Sequence, residues 1–138
     1  MFVHRHLVQF YETDLMGIIH HSNYLRFYEE ARVAWAHARG LIDYQQPGSA
    51  AHFAVLETQV KHLRPGRFGD SLEIDVQARR DGVRVIFQYR LRRGGEVLSV
   101  AETRHVPLSA ELKPIRLPLP IKTVLEKETW TETWLLNS

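Results

Sequence analysis

Residues 71–91 restrict the fold more than any other stretch of the chain. Leu72, Ile74, Val76 and Ala78 alternate with Ser71, Glu73, Asp75 and Gln77. Successive side chains of a strand point to opposite faces, so this run is a strand with one apolar face. Asp81-Gly82 follows, a dipeptide suited to a tight hairpin. The alternation resumes at Val83, Val85, Phe87, Tyr89 and Leu91. Gly94-Gly95 marks another tight turn, and Val97–Val106 reads as the last strand. Upstream, Phe53–Leu63 is a strand candidate that runs into an Arg64-Pro65-Gly66 turn. Three short connections of this kind demand antiparallel neighbours.

Only one long stretch has the helical period. Between Ser22 and Arg39, the residues Tyr24, Phe27, Tyr28, Ala31, Ala34, Trp35 and Ala38 recur at spacings of three and four. They form one apolar stripe on a helix. Ser22 or Asn23 is the expected N-cap, and Gly40 the expected left-handed C-terminal cap. A sheet with one apolar face needs a cover, and this helix is the only candidate. The expectation is an α+β fold in which a five-stranded antiparallel sheet wraps around one long helix. Val3–Tyr11 supplies the first strand, and Glu12–Ile19, which contains Gly17, is a loop. Ile42–His52, with Pro47, Gly48 and Ser49, is a second loop. Pro107, Pro114, Pro118 and Pro120 end the sheet, and Ile121–Thr129 forms a short helix. The aromatic tail Trp130–Ser138 is either an extra packing segment or a contact to another subunit.

A length of 138 residues with 44% hydrophobic and 25% charged residues fits one globular domain spanning 1–138 with a core of its own. There is no cysteine, which excludes disulfides, Cys-ligated zinc and thiol nucleophiles and suits a reducing compartment. Met1–His6 does not resemble a signal peptide. No apolar run approaches the roughly 18 residues of a spanning helix. A soluble, cytoplasmic protein without a membrane span is expected. The formal net charge of +2 is modest. Arg79, Arg80, Arg84, Arg90, Arg92 and Arg93 nevertheless cluster. Such a stripe binds nucleic acid in some proteins and phosphate-bearing ligands in others, or is simply a solvated strand face.

The residues with chemistry sit where the first strand meets the helix. Asp14-Leu15-Met16-Gly17-Ile18-Ile19-His20-His21-Ser22-Asn23-Tyr24 places a carboxylate, two imidazoles and a helix start close together. Unpaired amides at a helix start favour an anion or a carbonyl gaining negative charge. A carboxylate nearby acts as nucleophile or general base. The set suffices for acyl transfer to water. The ordinary alternatives are an Asx-turn for Asp14 and solvated or capping roles for His20 and His21. No HExxH spacing, G-x-S-x-G elbow or phosphate-binding glycine loop is present, so neither a metal nor a cofactor is expected.

The run Phe10-Tyr11-Glu12-Thr13-Asp14, followed by Gly17, His21, Asn23-Tyr24 and Glu29-Glu30-Ala31-Arg32, resembles the signature of the hot-dog acyl-CoA thioesterases. It is most similar to the 4-hydroxybenzoyl-CoA thioesterase-like group, which includes the thioesterase linked to the Tol-Pal system. Weaker similarity continues through Arg64–Leu72, and with strand order it extends to about Leu108. The resemblance implies the hot-dog fold and hydrolysis of acyl-CoA thioesters. It implies that Asp14 is the catalytic nucleophile or base, and that His21 orients substrate or water. Backbone amides around His21 and Ser22 would polarise the thioester carbonyl, with Gly17, His20 and Ser22 against the substrate. Arg64, Arg67, Arg79, Arg80 and Arg84 are candidates for the phosphates of coenzyme A. Subunit pairing with sites between subunits is also implied, as a homodimer or homotetramer. Two departures stand out: Glu12 replaces the Asp of many members, and His20 replaces an aromatic residue, often Tyr. The alternatives are a non-catalytic acyl-CoA or acyl-carrier-protein binding module, and a nucleic-acid binder. The latter has no recognised motif, so no nucleic-acid partner is expected. The His and Pro-Gly pattern of hot-dog dehydratases is missing.

Overall fold

The apolar faces read from the sequence meet in one core. The computed structural model describes residues 1–46, 51–131 and 134. The strands are β1 (Phe2–Leu7), β2 (His52–His62), β3 (Ser71–Asp81), β4 (Arg84–Arg93) and β5 (Glu96–Leu108). The helices are α1 (Ser22–Ala38) and α2 (Leu119–Lys127). The strands form one antiparallel sheet in the order β1-β3-β4-β5-β2. This is the hot-dog arrangement that the periodicity and the resemblance both pointed to.

The β3–β4 and β4–β5 hairpins form as expected, and Gly82 and Gly94 take positive φ in their turns, at 62° and 60°. The third short connection is different. β2 pairs with β5 and β3 with β1, so residues 63–70 carry the chain between strands that are not neighbours. A turn signal marks where a chain bends, not what it pairs with afterwards. β1 also ends at Leu7 rather than Tyr11, and Phe10–Glu12 is a turn of 3-10 helix. The Glu12 carboxylate accepts the Gln9 amide at 2.8 Å, which draws the backbone out of the ladder.

In α1, Tyr24, Phe27, Tyr28, Ala31, Trp35 and Ala36 are buried. Ala38, expected on the buried stripe, is exposed. Gly40 has φ 75°; its amide bonds to His37 O at 3.0 Å and the Leu41 amide to Ala36 O at 2.8 Å. That pair of bonds is a Schellman cap. At the other end the capping position is His21, not Ser22 or Asn23. Against the helix lie Leu72, Ile74, Val76 and Ala78 of β3 and Val85, Phe87, Tyr89 and Leu91 of β4. Trp35 meets Phe87 edge-on at 5.1 Å.

β5 brings polar groups into this interior, and each is bonded. The Tyr28 hydroxyl donates to Ser99 Oγ at 2.6 Å. The Tyr89 hydroxyl lies 2.6 Å from Thr103 Oγ1 and accepts from Arg32 Nη1 at 3.0 Å. His105 Nε2 lies 2.8 Å from Thr103 Oγ1. α2 starts earlier than expected, because Pro120 falls in its first turn, where a missing amide costs nothing. It buries Ile121 and Leu125, and Glu128 beyond its end accepts from Trp35 Nε1 at 3.0 Å.

The described part of the tail lies on the outer sheet face. The Thr131 amide donates to Gln77 Oε1 and Gln77 Nε2 donates to Thr131 O, both at 2.8 Å. Trp130 lies under Arg79 and Trp134 under Arg90, at 4.9 and 4.5 Å. The tail therefore packs on its own sheet as far as it is described. Residues 132–133 and 135–138, and the expected Pro47-Gly48-Ser49 turn, lie outside the described residues. Among the described residues no helix is long and apolar enough to cross a membrane.

Burial, with the Arg32 cation beside it, lowers the His105 pKa to about 4. The unfolded chain binds this proton more readily than the folded one, so stability rises with pH between the two values. Its contribution is complete above about pH 6.5 and is lost as pH falls through 4. Urea denaturation from pH 7 to pH 4 should show His105→Gln losing less stability than the parent, by on the order of 3 kcal/mol. Equal losses would contradict this account of His105.

Candidate active site

The loop between β1 and α1 is built to hold Asp14 at the surface. Thr13 bridges to Ile19, the Asp14 amide donates to Ile18 O, and the Gly17 amide donates to Asp14 O, both at 2.9 Å. Gly17 has φ 76°, a conformation costly for other residues and open to glycine. Asp14 Oδ1 accepts the Met16 amide at 2.8 Å, so the ordinary Asx-turn is real. It occupies one carboxylate oxygen. The other, Oδ2, accepts no hydrogen bond among the described residues.

The loop is then strapped to residues 64–67. Ile18 bridges to Arg67, and the Ile19 amide donates to Gly66 O at 2.9 Å. Gly66 packs close to the loop: a Cβ there would lie 2.5 Å from Ile19 Cδ1, and the end of that side chain would have to shift. These bonds create an open cleft of about 380 Å³ whose lining includes Asp14, His21, Tyr24, His62, Arg64 and Pro65. On its other side Asp14 borders a wider apolar groove with Phe10, Tyr11, Leu15, Gly17 and Phe68.

The helix start is more fully bonded than the sequence implied. The Ser22 amide donates to His20 Nδ1 at 3.2 Å, and the Ser22 hydroxyl lies 2.8 Å from the same nitrogen. The Asn23 and Tyr24 amides bond to His20 O and His21 O, at 3.0 and 3.3 Å. Of the His21 and Ser22 amides, only that of His21 has no intramolecular acceptor among the described residues. The His20 and His21 rings stack, 4.3 Å apart.

The structure thus brings Asp14, His21 and Arg64 to one cleft, with Gly17 shaping the loop and Arg67 strapped to it. Arg64 faces Glu96 at 3.4 Å. Arg79, Arg80 and Arg84 are elsewhere. They flank the β3–β4 hairpin, and from Ser71 to Arg79 the strand runs roughly 26 Å, at about 3.3 Å per residue. Much of the remaining arginine cluster is neutralised within the chain: Arg90 and Arg92 bond to Asp75, and Arg93 to Asp70. Two residues of the region were not assigned to the site from sequence. His62 lines the cleft edge-on to Tyr24 at 4.6 Å, and burial, with His21 nearby, lowers its pKa. Glu12, noted from sequence only as a departure from the family pattern at the start of the loop, is fully buried. Its Oε1 accepts from His6 Nε2 at 2.8 Å, and its Oε2 from Arg26 Nη2.

A second, more enclosed cavity of about 110 Å³ lies between the C-terminal half of α1, β4, β5 and α2, with Trp35, Phe87 and Ile121 in its walls. From His21 to Arg32, which also lines it, α1 climbs roughly 16 Å at 1.5 Å per residue. Among the described residues its lining holds no carboxylate. Among the described residues no group of three His, Asp or Glu side chains could hold a metal ion. The chemistry therefore gathers in the Asp14 cleft: a carboxylate oxygen free to act, an open amide at the positive end of a helix, and apolar walls.

Residues 8–128 match the model of the thioesterase-like superfamily. The chain belongs to that superfamily. A 1,4-dihydroxy-2-naphthoyl-CoA hydrolase of Thermosynechococcus vestitus is 32% identical over 117 residues, 82% of this chain and 79% of the relative. The acyl-CoA thioester hydrolase YbgC of Escherichia coli O6:H1 is 27% identical over 117 residues, 83% of this chain and 87% of the relative. Among solved structures, a hypothetical protein from Aquifex aeolicus superimposes with a TM-score of 0.83 at 28% identity, covering 91% of this chain and 99% of that one. The superfamily match takes in the whole Asp14 loop and its strap.

Because an asparagine side chain retains the Oδ1 acceptor, Asp14→Asn should keep the turn and change stability by less than about 0.5 kcal/mol. Asp14→Ala loses that acceptor and should cost about 1 kcal/mol in the same urea titration. If Asp14→Asn were as destabilised as Asp14→Ala, the Asx-turn would not be what the carboxylate contributes to the loop.

Proposed function

We propose that this thioesterase-like protein hydrolyses acyl-CoA thioesters to a free acid and coenzyme A. The observation that carries the reading is the shared cleft. Asp14 and His21 both line it, and among the described residues Asp14 Oδ2 and the His21 amide have no hydrogen-bond partner. The thioester carbonyl oxygen would accept from that amide and gain charge in the positive field of the helix. Asp14 would act on the carbonyl carbon directly or through a water, as nucleophile or general base. His21, beside the cleft, would orient substrate or water. The names of the Thermosynechococcus and Escherichia relatives support acyl-CoA as the substrate class.

Arg64 and Arg67, at the same end of the fold as Asp14, would bind the phosphates of coenzyme A. Arg79, Arg80 and Arg84 could serve only a site to which a second copy brings them. Pairing of two copies is supported by β2, an edge strand with Val55 and Leu56 exposed at 53% and 46%. An unpaired strand edge is a template for another strand. The proposal therefore includes a homodimer at least. A chain without cysteine works unchanged in the reducing cytoplasm, the location this reading assigns.

A thiol-release assay across an acyl-CoA panel should find a hydrolysed substrate, and Asp14→Asn should lower its turnover by about 10²–10⁴-fold. Parental turnover in Asp14→Asn would reject Asp14 as the acting group. Light scattering should give at least twice the chain mass of 16.1 kDa; a single species of that mass would reject the pairing.

A further inference from the structure

Glu12 is a carboxylate with no solvent exposure. A buried charge is costly unless its surroundings satisfy it fully, and here three parts of the fold do so. Oε1 accepts from His6 Nε2 on β1 and from the Gln9 amide, both at 2.8 Å. Oε2 accepts from Arg26 Nη2 on α1. The Glu12 carbonyl accepts the His20 amide at 2.9 Å and Asn23 Nδ2 at 2.8 Å. The Asp14 loop leaves Glu12 at Thr13 and returns to it at His20, so both of its ends are anchored on this one residue. Charged and titratable neighbours close the cluster. Glu30 faces Arg26 at 3.5 Å, His6 Nδ1 at 3.4 Å and His4 at 3.9 Å.

We propose that Glu12 is a positioning residue of the hydrolytic site, whose buried carboxylate fixes the placement of Asp14 relative to the open His21 amide. The inference rests on the role given to Asp14 above. Burial acts against the charge, but the bonds from the Gln9 amide, His6 and Arg26 outweigh it and hold the Glu12 pKa below its ordinary value. The donors also explain why charge matters beyond shape. The Gln9 amide and the Arg26 guanidinium can only donate, and they address different carboxylate oxygens. A glutamine side chain must therefore set its NH2 against one of these donors whichever way it is turned, and the anchor shifts. The far walls of the cleft, Tyr24, His62 and Arg64, are not part of the anchored loop, so binding should survive better than turnover.

The test compares Glu12→Gln with Leu125→Ala, which truncates a core residue of α2 remote from the loop. Steady-state hydrolysis is measured at a temperature where circular dichroism shows each variant fully folded. Glu12→Gln should lower kcat at least tenfold with KM changed less than threefold, and Leu125→Ala should keep parental kcat per folded molecule. A kcat within twofold of the parent in folded Glu12→Gln would overturn the proposal, and so would an equal kcat loss in Leu125→Ala. Arg26→Met removes the other side of the clasp at a partly exposed position and decides the matter should Glu12→Gln not fold. A threefold or greater fall in kcat supports the proposal, and parental kcat overturns it. Asp14→Asn run alongside separates the two ideas. If Asp14→Asn is inactive while Glu12→Gln is not, only the positioning role fails; if Asp14→Asn turns over normally, the catalytic reading fails and this one with it.

Discussion

The burial of one helix face against the sheet determines where everything else in this molecule can be. Phe27, Tyr28, Ala31 and Trp35 have almost no exposure. Their ring contacts with Phe87 and Tyr89 fix how far α1 sits along the sheet as well as how it is rotated. Removing a side chain of this kind from such a core costs about 3–5 kcal/mol, a large part of the stability of any small domain. Once α1 is seated, its first turn must face the loop that follows β1 and the segment that follows β2. The cleft is a consequence of that seating. It lies where a helix start, a glycine-shaped loop and the Arg64-Pro65-Gly66 segment converge, and the unengaged groups there belong to Asp14 and His21.

Polar groups inside the fold make the seating specific. Apolar contacts tolerate sliding, whereas Tyr28 can meet Ser99 and Tyr89 can meet Thr103 and Arg32 in only one register. Glu12 does the same at the site end, where its donors come from β1, the turn and α1. A buried donor or acceptor left unmade costs about 1–3 kcal/mol, so each bonded pair disfavours the shifted alternatives. On the outer face, Gln77, Gln88 and Glu102 form a comparable ladder that also holds the tail at Thr131.

The parts legible in the sequence were those governed by local periodicity. The alternation of Leu72–Ala78 and Val85–Leu91, the glycines of the two hairpins, and the helical stripe ending at Gly40 each state a local rule that the fold obeys, whereas Val83, expected on the strand, lies exposed in the turn before β4. What pairs with what was not local. The bend at Arg64-Pro65-Gly66 reads like a hairpin, yet β2 closes the far edge beside β5. Pro120 reads as a breaker, yet occupies the one helical turn that accepts it. At the site, Asp14 and His21 stood out because unlike chemistries lay close in sequence. Glu12 stood out only as a departure from the family pattern; its anchoring depends on His6 and Arg26, and nothing local marks a carboxylate as buried. His62 reaches the cleft from a strand whose residues are mostly exposed, so its pattern carried no signal. The arginine cluster showed the converse: six like charges in sequence are divided in space among carboxylate clamps, a tryptophan face and a distant hairpin.

The central claim is that Asp14 and the start of α1 act on the same thioester group. The most direct measurement is a crystal structure of the Asp14→Asn variant with a non-hydrolysable acyl-CoA analogue. The account predicts the carbonyl oxygen of the analogue within hydrogen-bond distance of the His21 amide, about 3 Å, with the substituted side chain of the loop next to the carbonyl carbon. A carbonyl lodged away from the helix start, for instance in the cavity beside Arg32 and Trp35, would contradict it.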